Sequence, residues 1–258
     1  MKQMLEDCKA LARQAGDAIM EVYKSDDFEV EIKNDSFYSP LTKADKIANK
    51  VIEVGLRRIS KYPIVSEESN HSVKDSDMFW LVDPVDGTKE FIKRNGEFTV
   101  NIGLIKDGKP VLGVVYAPAK KIMYFAAVKI GAYKQEDGKE PVRIVTINRH
   151  AVSAVVVSRS HLDEETKKFL HRLGEQRIVS MGSSLKLCLV AEGQASVYPR
   201  FAPTSLWDTA AADAVVRAAG GTVTDLRGRN LVYSPTQSLL NPYFIVTDGS
   251  KDYIKLLS

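Results

Sequence analysis

Two aspartates, Asp83 and Asp86, stand three positions apart around a proline in the run WLVDPVDGTKEF, residues 80–91. They leave the end of an apolar, strand-like segment together. Pro84 fixes one backbone dihedral between them, so the turn is stiff and both carboxylates can face one point. Two fixed carboxylates suit a hard divalent cation: Mg²⁺ takes oxygen ligands, keeps several waters and can accept a backbone carbonyl, such as that of Val85, into its shell. Gly87 and Thr88 then open KEFIKR, a short predicted helix whose free N–H groups would hold a phosphate. The same D-P-x-D-G string is also a good turn sequence, and an aspartate ahead of Gly-Thr can simply cap a helix.

Two further acidic places strengthen the chemical reading. Glu67 and Glu68, in SEES after the apolar PIV, are costly to bury unless solvated or bound to a cation, with an exposed loop as the alternative. Asp208, in WDTAAAD, stands before an alanine-rich helix, where taken alone it reads as an N-cap.

These residues need elements to hold them. Leu5, Leu11, Ala15, Ile19 and Val22 recur near helical spacing, and Ile47, Val51 and Val54 predict a second helix from Thr42 onward. From Phe79 the pattern changes to short β-rich runs, MFWLV, FTVNIGLI, VLGVVYAP and KIMYFAAV, with KDGK as a hairpin turn between the second and third. This predicts a largely antiparallel sheet. After Pro141 the pattern alternates: AVVVS as strand, DEETKKFLHRLG as helix, LKLCLVAEG as helix ending at Gly193, ASVYPR as strand, and DTAAADAVVRAAGG as helix ending at Gly220 or Gly221. The polar QEDGKEPVRIV between the halves reads as a surface loop or a boundary near residues 135–145.

The composition sets the context. With 258 residues, 44% of them hydrophobic, the chain can build a substantial core. Lys+Arg of 36 against Asp+Glu of 33 leaves a net charge of only +3, spread along the chain, which argues against a nucleic-acid partner. Cys8 and Cys188 lie far apart in apolar helical patterns, as buried free thiols do, and fit a reducing cytoplasm. The first 23 residues are amphipathic with early acids, unlike a secretion signal or a membrane span.

LVDPVDGTKEF, with SEES upstream and WDTAAADAVVRAAGG downstream, resembles the lithium-sensitive, Mg²⁺-dependent phosphatases related to inositol monophosphatase. Within that superfamily, DGTKEFIKRNGEFTVNIGLI, VVVSRSH and GSSLKLCLVAEGQASVYPRF are similar to the 3′(2′),5′-bisphosphate nucleotidase branch of bacterial sulfate assimilation. The resemblance covers nearly the whole chain. It implies a mixed α+β and α/β fold, a layered αβαβα sandwich of the sugar-phosphatase type in one domain. Residues 1–140 would form a metal-binding half with the antiparallel sheet, and 141–258 an α/β substrate-binding half.

By that resemblance, Glu67, Asp83 and the Val85 carbonyl hold a first Mg²⁺, while Asp83, Asp86 and Asp208 hold a second; a third, weaker ion lies near Glu67. Thr42-Lys43-Ala44-Asp45 matches the family's T-x-x-D element, so Asp45 and Thr88, with Glu67, would activate the attacking water. The same four residues also read as a capping-box start for the second helix. Asp86, Gly87, Thr88 and Asp208, together with His161, Ser183, Lys186 and Arg200, are the implied substrate contacts. Lys186 and Arg200 can make charge-assisted hydrogen bonds to a second phosphate. Metals are demanded by the reaction. Enzymes hydrolysing phosphate monoesters reach accelerations up to about 10²¹-fold, whereas one general base supplies roughly 10² to 10⁴.

The expected activity is release of the 3′-phosphate of adenosine 3′,5′-bisphosphate, with inhibition by Li⁺. The partner is a small molecule, and the protein is a monomer or homodimer, cytoplasmic or peripheral to a bacterial inner membrane. Competing readings are an inositol or sugar monophosphatase of the same superfamily, a haloacid-dehalogenase-type enzyme, which spaces its aspartates by one residue rather than two, and a non-enzymatic metal- or nucleotide-binding protein. One departure from the branch is Ala212-Asp213 after WDTAA, where glycine and a residue other than aspartate are usual. Asp213 adds a negative charge a little over one turn beyond Asp208, bearing on metal affinity or substrate range.

Overall fold

The apolar stripe of the first helix, α1 (Lys2–Lys24), buries Leu5, Leu11, Ala15, Ile19 and Val22 as its spacing predicts. The computed structural model describes residues 1–25, 28–33, 40–69, 76–147, 154–160, 163–234, 236 and 238–256. After β1 (Glu31–Ile32) and β2 (Pro40–Leu41), an isolated antiparallel pair, comes α2 (Lys43–Ile59). Its buried stripe is Ala44, Ala48, Ile52 and Leu56, rotated from the predicted Ile47, Val51 and Val54, and Val54 is exposed. Ile47 and Val51 flank that stripe, half-buried against the same core.

Both helices cover one face of a seven-stranded sheet, built from β3 (Ile64–Ser66), β4 (Met78–Asp86), then, after α3 (Thr88–Ile92), β5 (Thr99–Lys106), β6 (Lys109–Ala117), β7 (Ile122–Ala127), β8 (Gly131–Glu136) and β9 (Val142–Arg143). Only β3 and β4 pair in parallel; every later neighbour is antiparallel. The predicted KDGK turn is present, with Asp107 and Gly108 both left-handed (φ 51° and 70°), as a two-residue type I′ hairpin requires. The segment expected to be loop between the halves contributes strands: β8 and β9 pair around Asp137-Gly138, because backbone pairing to the sheet outweighs the polar side chains.

The second half contains β10 (Ala154–Ser158), α4 (Glu164–Leu173), β11 (Arg177–Met181), α5 (Leu185–Ala191), β12 (Val197–Arg200), α6 (Leu206–Ala218), β13 (Thr222–Asp225), β14 (Phe244–Thr247) and a final 3₁₀ turn, Tyr253–Leu256. Its five strands run in the order β11-β10-β12-β14-β13, parallel from β11 to β12 and antiparallel beyond. Helix α5 stops at Ala191, before the expected Gly193, and α6 starts at Leu206, before the expected Asp208.

Three buried clusters define the layers. One lies between α1, α2 and the first sheet, one between the two sheets around α5 and α6, and one beneath α4 and the 3₁₀ turn. The architecture is a five-layer αβαβα sandwich.

Helix α6, in the central layer, approaches the first sheet closely because Ala210, Ala211 and Ala214 meet Gly103 and Gly113. A Cβ on Gly113 would stand 2.0 Å from the Ala211 carbonyl oxygen, and one on Gly103 would stand 3.0 Å from the Ala211 nitrogen. We expect Gly113→Ala to cost about 3 kcal/mol and Gly103→Ala about 1, the range of overpacking. Urea denaturation of the two variants measures this; an unperturbed Gly113→Ala would contradict the close packing.

Candidate active site

Strand β4 is buried on both faces, with Trp80 and Val82 turned to α1 and α2 and Phe79 and Leu81 turned to the central layer. Alternation puts Asp83 on the central side. Asp86, at odd separation, would fall on the opposite face of a regular strand. The register breaks between them: Asp83 pairs with Asn101 and Asp86 with Thr99, so three steps on β4 match two on β5. That one extra residue is a bulge, and it returns Asp86 to the face of Asp83. Within the turn, the Val85 N–H donates to Asp83 Oδ1 at 3.1 Å.

Other elements bring their acids to the same cavity. Glu67 follows β3, held by its N–H bond to the Val82 carbonyl at 3.1 Å. Asp208 is the third residue of α6, and its Oδ2 accepts the Ser205 N–H at 2.8 Å while the Ser205 side chain caps the helix in return. A cavity of about 390 Å³ is lined by Glu67, Asp83, Val85, Asp86, Gly87, Thr88, Ser183, Lys186, Arg200 and Asp208, all ten of which were predicted from sequence. Asp45 lies just beneath, 1% exposed. His161 lies outside the described residues.

Asp83 and Asp208 have carboxyls pushed well above the usual aspartate range, first by burial and then by neighbouring negative charge: Glu67, Asp86 and Asp208 act on Asp83, while Asp86 and Glu67 act on Asp208. Burial also raises Asp86, although Lys186, the Ser184 N–H and Asn101 pull it down. Lys33 bonds to Glu67 at 2.6 Å and to Glu68 at 2.5 Å. Burial works against the lysine's charge, yet the two glutamates leave its pKa raised.

Among the described residues no three His, Cys, Asp or Glu side chains already form a closed cage. The donor set nonetheless fits a hard cation. It is all oxygen, it repels itself, and a hard ion such as Mg²⁺ needs only one or two carboxylates with waters completing its shell.

Asp45 resolves the two readings of TKAD by serving both. Its Oδ2 accepts the N–H and the hydroxyl of Thr42, at 2.8 and 2.5 Å, closing a capping box on α2. Its Oδ1 faces the Thr88 hydroxyl at 3.4 Å, and that hydroxyl is 3.2 Å from the Val85 carbonyl. Burial raises the Asp45 pKa to about 6 against the pull of Thr42.

Close to Gly87 and Asp86, Ser183 adopts φ 50°, and the buried Lys186 donates to its carbonyl at 2.6 Å and stands 5.5 Å over the Tyr198 ring. Burial lowers the Lys186 pKa to about 8, opposed by Asp86. Arg200 donates from Nη2 to the Pro203 carbonyl at 3.1 Å, and its buried Nε has no partner among the described residues.

Sequence reasoning missed Lys33, Asn101, Ser184 and Tyr198. Ser184 carried a signal, lying beside Ser183 in GSSLK; Asn101 and Lys33 carried none, because their partners are distant in the chain. Asp213 corrects an expectation. It does not line the cavity; it is fully buried, paired with Arg217 and accepting the Tyr233 hydroxyl at 2.8 Å, so its charge is satisfied within the core.

Layered sheets enclosing a cavity lined by acids together with the buried Lys186 and the half-buried Arg200 define a phosphatase-type scaffold, and the profile of the Inositol monophosphatase family matches residues 1–252. The chain belongs to that family, whose members are metal-dependent phosphatases. Proteins named 3′(2′),5′-bisphosphate nucleotidase CysQ from Salmonella typhimurium and Escherichia coli are 53% and 52% identical to it over 249 residues, 95% of this chain and 99% of theirs. Among solved structures, CysQ from Bacteroides thetaiotaomicron matches with a TM-score of 0.79 at 40% identity, covering 95% of this chain and 96% of that one. An IMPase from Thermotoga maritima matches with a TM-score of 0.79 at 27% identity, covering 100% and 97%.

The raised carboxyls have a consequence for stability. Between the ordinary aspartate value of 3.8 and the value of about 6 at Asp45, the folded protein holds protons that the unfolded chain has released. Stability therefore falls as pH rises through that window, and a cation that binds only the folded, ionised site restores it. In EDTA the protein should melt at higher temperature at pH 5 than at pH 7, and Mg²⁺ should raise the melting temperature more at pH 7. Calorimetric scans check both; stability rising with pH in EDTA would contradict the cluster.

Proposed function

We propose that the protein is a Mg²⁺-dependent phosphomonoesterase that removes the 3′-phosphate of adenosine 3′,5′-bisphosphate, leaving AMP and phosphate. The observation that carries this reading is the charge arrangement of one cavity, which brings the cations Lys186 and Arg200 in beside the carboxylates Asp83, Asp86 and Asp208. A substrate with two phosphates can give one to the carboxylate-held cations and the other to Lys186 and Arg200; an inositol monophosphate has no second phosphate for these two side chains. The 53% and 52% identity to proteins named bisphosphate nucleotidase supports the same substrate.

Glu67, Asp83 and the Val85 carbonyl would hold one Mg²⁺, Asp83, Asp86 and Asp208 another, and the Glu67 side a weaker third. When bound, these ions neutralise the phosphate oxygens and stabilise the leaving alkoxide. The chain's own groups do the rest. Thr88 donates its hydroxyl proton toward Asp45 Oδ1, which leaves the Thr88 oxygen able to accept a proton from the attacking water. The buried Asp45, with its pKa near 6, is ionised at pH 7 and takes up the Thr88 proton as Thr88 receives the one from the water. Gly87, left-handed at φ 94°, turns the chain so that Thr88 faces the cavity; a Cβ there would meet the Glu97 carbonyl oxygen at 3.0 Å.

Ser183, Lys186 and Arg200 bind the second phosphate, the two cations through charge-assisted hydrogen bonds. His161 is assigned to the nucleotide by family resemblance. The chain works as one domain whose first 140 residues supply most cation ligands together with the substrate contacts Asp86, Gly87 and Thr88, and whose remainder supplies the second-phosphate contacts and the cation ligand Asp208. A cytoplasmic setting is supported by Cys8 and Cys188, both free and buried.

Phosphate release with Mg²⁺, comparing adenosine 3′,5′-bisphosphate with inositol 1-phosphate and repeating both with Li⁺, tests the reading. A strong preference for the bisphosphate and inhibition by Li⁺ are expected; preference for inositol 1-phosphate would leave a sugar-phosphate enzyme instead. Lys186→Ala should raise KM for the bisphosphate about 10- to 100-fold, the value of one charged hydrogen bond, and leave KM for a monophosphate nearly unchanged. Equal effects on both would remove the second-phosphate role.

A further inference from the structure

Asp86 Oδ2 receives two donors, the Ser184 N–H at 2.5 Å and Asn101 Nδ2 at 3.3 Å. Asn101 is itself oriented by Ser184, whose hydroxyl donates to Asn101 Oδ1 at 2.8 Å and lies 2.9 Å from the Thr99 hydroxyl. Ser184 thus reaches Asp86 twice, directly through its N–H and indirectly through Asn101. Asn101, Thr99 and Ser184 are 1%, 0% and 2% exposed, so water does not compete for these bonds.

The bookkeeping of protons fixes the direction of the chain. An amide has distinguishable ends: because the Ser184 hydroxyl occupies Asn101 Oδ1, the Nδ2 end must face Asp86. The Ser184 oxygen then accepts from Thr99. With Oδ2 taken by two donors, Oδ1 is the oxygen of Asp86 with no donor among the described residues.

We propose that Asn101 and Ser184 are positioning residues that clamp Asp86 Oδ2, leaving Oδ1 to the cation, and that Ser184 locks the substrate-binding loop and the cation site into one unit. Ser184 sits between Ser183 and Lys186, the residues assigned to the second phosphate. A shift of that loop therefore moves the N–H that fixes Asp86. The inference rests on the cation role proposed for Asp86. Removing such an outer partner of a metal ligand typically weakens the metal or the activity 10- to 100-fold.

Isothermal titration of the full protein with Mg²⁺ alone, with no substrate present, tests this on the wild type and on Asn101→Ala, Ser184→Ala and Asp86→Asn. Circular dichroism checks that each folds; Ser184→Ala, which loses one oxygen and keeps its N–H, serves if the asparagine variant does not. We expect Asn101→Ala to bind Mg²⁺ 10- to 100-fold more weakly, and Ser184→Ala about tenfold. Raised Mg²⁺ should return the turnover of both toward the wild-type kcat, which a merely distorted fold would not allow. Wild-type Mg²⁺ affinity in Asn101→Ala and Ser184→Ala, with affinity lost in Asp86→Asn, would overturn the positioning role alone. Turnover that stays low at every Mg²⁺ concentration would also overturn it. Undiminished affinity in Asp86→Asn would instead overturn the cation reading beneath it.

Discussion

A single inserted residue in β4 sets the electrostatics of the site. The bulge between Asp83 and Asp86 turns two carboxylates that a regular strand would separate onto one face, where Asp208 and Glu67 also arrive. Like charges gathered away from water repel, and each is pushed toward its neutral form. Everything else around the cavity offsets that repulsion: Lys33 beside Glu67 and Glu68, Lys186 and the Ser184 N–H beside Asp86, and the helix starts that carry Asp45 and Asp208. The remaining imbalance is what a divalent cation satisfies.

Both helix starts show how a structural role and a chemical role share one residue. Asp45 and Asp208 each occupy the third position of a helix and each closes a capping box, with Thr42 and Ser205. The bond uses one carboxylate oxygen and leaves the other, so capping consumes only half of the group's capacity. The first turn also favours negative charge through the unsatisfied N–H groups of the helix. In sequence the cap and the catalytic assignment compete for TKAD; in three dimensions the cap fixes the rotamer that lets Oδ1 of Asp45 meet Thr88.

Much of this was legible because it is local. The stripe of α1, the KDGK hairpin and the acids at 67, 83, 86 and 208 follow from spacings of a few residues. What escaped was decided by distant partners. β11 is an edge strand whose sequence RIVSM puts the exposed Ile178 next to the inward Val179 and so hides the alternation that its burial follows, β13 and β14 are four residues each, and the stripe of α2 centres on Ala44, Ala48, Ile52 and Leu56. Asn101 looks like one polar residue in an apolar strand until Ser184, 83 positions later, is folded against it. Asp213 misled for the same reason: its spacing from Asp208 pointed to the metals, whereas Arg217 and Tyr233 claim its charge.

The central layer joins these facts. Helix α6 delivers Asp208 only because Gly103 and Gly113 give up their side chains to admit Ala210 and Ala211. That close approach also brings Thr209 into a buried chain running from Asn241, at 3.1 Å, to the Tyr233 hydroxyl, at 3.2 Å, and on to Asp213. Tyr233 has one proton for two acceptors, and the carboxylate, nearer and charged, takes it; the Thr209 hydroxyl itself donates to the Leu206 carbonyl at 3.3 Å, within its own helix. Asn241 in turn holds the Ser205 carbonyl at 2.6 Å, at the residue that caps α6. The aspartate that departs from the branch pattern is therefore tied to the site through packing: with Arg217, which donates to the Val223 carbonyl, and with Tyr233 it joins to its surroundings the helix whose first turn presents Asp208.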